Sequence, residues 1–145
     1  TLFFCAGAIL ISAHKSRVSE LDGLGRRMPL TFAAFAIAAI SVAGLPPGGG
    51  TWSKWLLAGA TTENHQPWLL ATLLISTLLN LAYLMPVVGR AFFMPLPANT
   101  PDHVREAPLV CLIPLCLTAL ATLALFFGAG PILAFLSPLA DAHEP

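Results

Sequence analysis

Residues 68–88 and 108–127 contain no charged side chain. Each run is long enough to cross the ~30 Å apolar layer of a bilayer as a helix, which takes ~20 residues. The rest of the chain offers little polar surface with which to cover them. Asp, Glu, Lys and Arg make up 10% of the 145 residues, against ~25% in a soluble domain, and 57% are hydrophobic. The seven Lys/Arg balance the seven Asp/Glu. This excludes a disordered chain, a nucleic-acid binder with a basic face and a disulfide scaffold. An all-α, polytopic transmembrane bundle remains.

The chain opens on Thr1 rather than Met, and an apolar run begins at once. It shows neither the basic n-region nor the cleavage site of a signal peptide, so the expectation is the C-terminal part of something longer. Residues 2–13 are too few to span alone and read as the exit half of a helix that starts upstream. Residues 29–45 are apolar throughout, with Pro29 suited to a first helical turn. The tail, 128–145, begins Gly128-Ala129-Gly130-Pro131 and reads as a helix stop, a short interfacial segment and a polar end. The whole is one transmembrane region: a partial helix 1–13, a broken helix 29–60, helices 68–90 and 108–127, and the tail.

The break is the informative part. Pro46 and Pro47 remove two backbone donors, and Gly48, Gly49 and Gly50 remove the preference for helix. The expected gap runs from about Leu45 to Trp52, after which apolar residues resume behind Lys54. Charge supports a single crossing. Lys15, Arg17, Arg26 and Arg27 occupy the first loop, Arg90 and Arg105 bracket the last, and residues 61–67 carry no Lys or Arg. Loops rich in Lys and Arg share the cytoplasmic side, so two crossings must separate them. Residues 68–88 supply one, and 29–60, broken in the middle, supply the other.

Non-helical backbone at membrane depth needs protein or a water-filled cavity around it. A lysine there costs at least ~2.5–3.5 kcal/mol and marks an ion or proton route. Discontinuous helices with ionisable residues are the transporter pattern. Lys54 also sits near a positive helix end, which with poor solvation favours the neutral amine. The alternative is an interfacial lysine that snorkels to a headgroup, with Trp52 and Trp55 as belt aromatics. Asn80 and Tyr83 share one helix face with Thr77 and Ser76 nearby, as relay residues or as glue between helices. His14, beside Lys15 and Arg17, is an interfacial histidine or a relay at the mouth of a pathway. His65, His103 and His143 lie in loops or the tail and suggest nothing specific. Cys5, Cys111 and Cys116 read as small buried hydrophobes, no residues have metal-ligand spacing, and no cofactor motif occurs.

Three segments in order resemble the antiporter-like subunits of complex I and Mrp antiporters. Residues 1–9, Thr-Leu-Phe-Phe-Cys-Ala-Gly-Ala-Ile, resemble the stretch after that family's membrane-embedded His-x-x-x-Lys segment. Residues 21–29, Leu-Asp-Gly-Leu-Gly-Arg-Arg-Met-Pro, look like its following loop. Residues 44–50 together with Ser53-Lys54-Trp55 look like its discontinuous-helix motif, and 78–93 are similar to the next helix of the D-type branch of Mrp antiporters. The resemblance implies a fourteen-helix inverted-repeat fold, of which this chain holds the last three helices and part of a fourth. It also implies that Lys54 takes part in a terminal proton route. Thr51 stands where the family usually has phenylalanine.

The first expectation is therefore a proton-translocating subunit of a multisubunit monovalent cation/proton antiporter, of the D type, and a transporter component rather than an enzyme. The second is the matching subunit of complex I or a membrane-bound hydrogenase, which would make it part of a translocase. The third is a non-conducting scaffold fragment. The partners implied are other membrane subunits, lipid, protons and a monovalent cation, with no nucleic acid, in the bacterial cell membrane.

Overall fold

The computed structural model describes residues 1–63, 65–97 and 105–141, the last five by backbone alone. His103 and His143 lie outside the described residues. Six α-helices make up the fold of the described residues: α1 Leu2–Ala13, α2 Pro29–Ala43, α3 Gly50–Glu63, α4 Pro67–Phe93, α5 Leu109–Phe127 and α6 Ala129–Asp141. Of these, α4 and α5 are long and apolar enough to cross a membrane.

Helix α1 ends on His14, whose φ of 51° is left-handed and whose N–H returns to Leu10 O. Two short 3-10 turns, Val18–Glu20 and Leu24–Arg26, lead to α2. Between them the loop clasps the end of α4. Gly23, at φ 69°, donates its N–H to Arg90 O at 3.0 Å, and Arg90 Nε donates to Asp22 Oδ1 at 2.8 Å. A side chain at Gly25 would strike Ala91 O, so glycine sets that approach. Packed around this clasp is the core. Cys5, Leu24, Met28, Phe32 and Leu115 are fully buried there, and Phe32 meets Phe92 edge-on.

Helix α4 acts as a ruler for the helices packed on it. Its 27 residues measure ~40 Å. Arg90, near its end, holds the loop before α2; Thr77, in its middle, holds Lys54 of α3; and Gln66, just before its start, donates its N–H to Thr61 O. So α2 runs beside the second half of α4 and α3 beside the first, one after the other. Glu106, just before α5, bonds the start of α2, which brings Arg105 to the same end as Arg90 and the first loop.

Several boundaries differ from the sequence reading: α3 runs on to Glu63 rather than 60 and α4 to Phe93 rather than 90, and the break and the tail differ as well. The gap covers Gly44 to Gly49, and Gly50 and Thr51 already belong to α3. The first N–H groups of a helix have no partner within it, and here Ser41 Oγ accepts from Gly50 N at 3.2 Å. The tail forms α6 across Gly130 and Pro131, because proline is tolerated in a first turn. Gly128 alone separates α5 from it.

Candidate proton site at the helix break

The end of α2 is a Schellman turn. Gly44, at φ 81°, donates to Ser41 O, and Leu45 donates to Ile40 O at 3.1 Å. That arrangement leaves the carbonyl of Ala43 open. Lys54 fills it: Nζ donates to Ala43 O at 3.0 Å and to Thr77 Oγ1 at 2.8 Å. The lysine stem passes over Gly44, where any Cβ would collide with Lys54 Cδ. Glycine at that position thus serves both the turn and the approach of the side chain.

The electrostatics differ from the sequence expectation. Lys54 belongs by backbone to the positive start of α3, but its ammonium rests on the negative end of α2. The two helix ends therefore act on this group with opposite sign. Lys54 is half-buried, and no carboxylate among the described residues pairs with it. Two of its three N–H donors are used by neutral acceptors.

Glycine also shapes the rest of the break. At Gly48 and Gly50 a Cβ would strike Ser41, and at Gly49 it would press on Leu125 and Thr122 O. Gly49 donates its N–H to Thr122 O at 3.2 Å, tying the gap to α5. Pro46 and Pro47 lie early in this stretch and remove donors that the turn does not need. Trp52 is held rather than free, since its Nε1 donates to Phe126 O at 3.0 Å. Trp55 is largely exposed. The hydroxyl of Thr51 is buried without a hydrogen-bond partner among the described residues.

The other candidates fall in three places. Tyr83 donates its hydroxyl to Asn80 Oδ1 at 2.8 Å, so the pair bonds within α4 rather than across helices. Asn80 lies one turn beyond Thr77 on the same helix, but no hydrogen bond among the described residues joins that pair to Lys54. His14 is exposed at the basic end, where Lys15 and Val87 line one cavity. Val87 is ~15 Å along α4 from Thr77, so His14 and Lys54 do not meet. His65, also left-handed, sits in the turn between α3 and α4. Two residues escaped the sequence reading as partners: Ala43, whose role is purely backbone, and Glu106. Thr77 carried a usable signal, three residues before Asn80 on one face.

With this geometry in place, comparison with known proteins adds a lineage. The family described as NADH:quinone oxidoreductase/Mrp antiporter, TM matches residues 1–80, which include α1, α2, the break and Lys54. The chain belongs to this family. NADH-quinone oxidoreductase subunit N of Desulforudis audaxviator is 37% identical over 107 residues, covering 74% of this chain and 21% of the relative. F(420)H(2) dehydrogenase subunit L of Methanosarcina mazei is 32% identical over 140 residues, covering 88% of the chain and 20% of the relative. Subunit N of the same dehydrogenase is 28% identical over 102 residues, covering 64% of the chain and 21% of the relative. The chain spans about a fifth of the length of these relatives. It is a membrane protein of the antiporter-like class, similar to subunits of complex I-type assemblies.

Proposed function

We propose that the chain is part of a proton-translocating, multi-pass subunit of a redox-driven complex in a cell membrane, and that Lys54 carries the proton across the break. The relatives are named as subunits of redox enzymes, which favours this machine over the D-type cation antiporter that the sequence suggested first. The observation that carries the reading is the seat of Lys54: an ammonium at a helix break, held by a carbonyl and a hydroxyl rather than by a carboxylate.

That seat suits a group that alternates between charged and neutral forms. Ala43 O accepts a hydrogen bond in either state. Thr77 Oγ1 accepts from the ammonium while its own proton goes to Leu73 O at 2.9 Å. When Lys54 is neutral, the Thr77 hydroxyl can rotate and donate to the amine instead. No charge need be left without a partner at either stage. A carboxylate in place of these acceptors would lock the ammonium and oppose release. Asn80 and Tyr83, further along α4, are the nearest candidate relay on this helix, and His14 stands at the basic end.

The test is made in the complete subunit, assembled in its complex and reconstituted in vesicles. Lys54→Ala abolishes proton translocation while the complex still assembles. Lys54→Arg impairs it, because a guanidinium holds its proton. Arg105→Ala, in the loop, leaves the rate nearly unchanged. Normal translocation by Lys54→Ala would return Lys54 to the role of an interfacial anchor. Translocation driven by an imposed cation gradient, with no response to electron transfer, would restore the antiporter reading.

A further inference from the structure

Helix α2 has no cap of its own: no side chain at its N-cap residue, Met28, bonds the open N–H groups of the first turn. Those groups are met from far away in sequence. Glu106 Oε1 accepts from Leu30 N at 2.6 Å and from Thr31 N at 3.4 Å, and Oε2 accepts from Thr31 Oγ1 at 2.8 Å. Thr31 is fully buried, so its hydroxyl depends on this partner. At the opposite end of α2 lies Lys54, on Ala43 O. A carboxylate at the start and an ammonium at the finish both follow the helix dipole.

The two ends are mechanically joined. Helix α2 has 15 residues, no glycine and no proline past its first position, so nothing in it provides a hinge. A shift at Leu30 is therefore carried to Ala43. Glu106 also stands directly before α5, and α5 grips the far side of the break. Thr122 O accepts from Gly49 N, and Phe126 O accepts from Trp52 Nε1. Residues 106–127 thus hold the start of α2, the gap and the first turn of α3 in one alignment.

We propose that Glu106 is a positioning residue for proton transfer at Lys54, seating α2 so that Ala43 O stays within reach of the ammonium while α5 splints the break. Glu106 itself touches no transferred proton; it acts through α2. The assignment rests on the reading of Lys54 as the proton site.

The experiment uses the complete subunit in its complex, with electron transfer and proton translocation followed in the same vesicles. Glu106→Ala lowers the protons moved per electron while electron transfer and yield of complex hold. Glu106→Gln keeps an oxygen for the Leu30 and Thr31 amides and retains a ratio near that of the unmodified protein. Thr31→Val removes only the hydroxyl and lowers the ratio by less than Glu106→Ala, which makes it the deciding variant should Glu106→Ala not assemble. An unchanged ratio in both Glu106→Ala and Thr31→Val overturns the assignment. So does a parallel fall of electron transfer and translocation, or a Glu106→Gln as damaged as Glu106→Ala. Lys54→Ala in the same series separates the two readings. If it translocates normally, the proton site itself is wrong; if it fails while Glu106→Ala does not, only the positioning role is lost.

Discussion

Before the break, α1, α2, α5 and the end of α4 enclose Cys5, Met28, Phe32 and Leu115 without solvent contact. Beyond it, Thr61 is the one buried residue of α3, and Trp55, Leu57, Trp68, Leu74 and Ile75 stand exposed. The first half makes its own core, whereas the second turns an apolar face outward, to lipid or to other helices. Lys54 is seated where the two meet, with one acceptor from each: Ala43 from the packed half and Thr77 from the open one. The ammonium thus has one acceptor at the end of a packed helix and one on a stretch of α4 whose neighbours Leu74 and Ile75 stand exposed.

The contrast between the halves meets its most decisive test in sidedness, which is all or none. The six loop cations gather at the packed end, so Ser16→Cys should label from the cytoplasmic side and Glu63→Cys from the opposite one. Labelling of both from one side would end the single-crossing reading.

Next in size is the cost of truncation in each half. Phe32→Ala should destabilise the purified full-length subunit by about 3–5 kcal/mol in thermal unfolding. Leu74→Ala, on the exposed face, should change it by no more than about 0.5 kcal/mol. Equal costs would mean that the two halves are not built differently. Gly44→Ala should cost about 1–2 kcal/mol for the left-handed backbone and also push the Lys54 stem off α2, so proton translocation falls with stability. Full translocation in that variant would show that the seat on Ala43 is dispensable. A small effect also belongs to the clasp at the packed end. Arg90 and Asp22 are 38% and 23% exposed, and Asp22→Asn should cost less than about 1 kcal/mol in the same unfolding measurement.

Apolar runs and the proline–glycine gap were legible because both are local. Twenty uncharged residues or two prolines in a row act on the backbone that bears them. The start of α3 at Gly50 was not, because helix propensity opposes it and only a distant hydroxyl, Ser41 Oγ, makes it favourable. Lys54 was legible as an isolated charge, but its acceptors were not. A backbone carbonyl such as Ala43 O has no signature in residue type, and it is open only because of how α2 ends. Glu106 was hidden by separation: nothing near it in sequence tells that Thr31, 75 residues earlier, lacks a partner. Helix α6 was missed because Gly-Ala-Gly-Pro reads equally as a stop and as a new first turn.

The gap between α2 and α3 spans six residues, and most of them are tied down: Gly44 to Ser41, Leu45 to Ile40, Gly48 to Leu45 and Gly49 to Thr122. Connections between helices ordinarily absorb insertions. This one has no slack to absorb them. One residue added at the start of α3 would turn Lys54 by about 100° around the helix axis and carry its ammonium away from both acceptors. The number of residues in the gap is therefore as much a component of the site as the lysine, and a change of length there would silence it while leaving every named side chain in place.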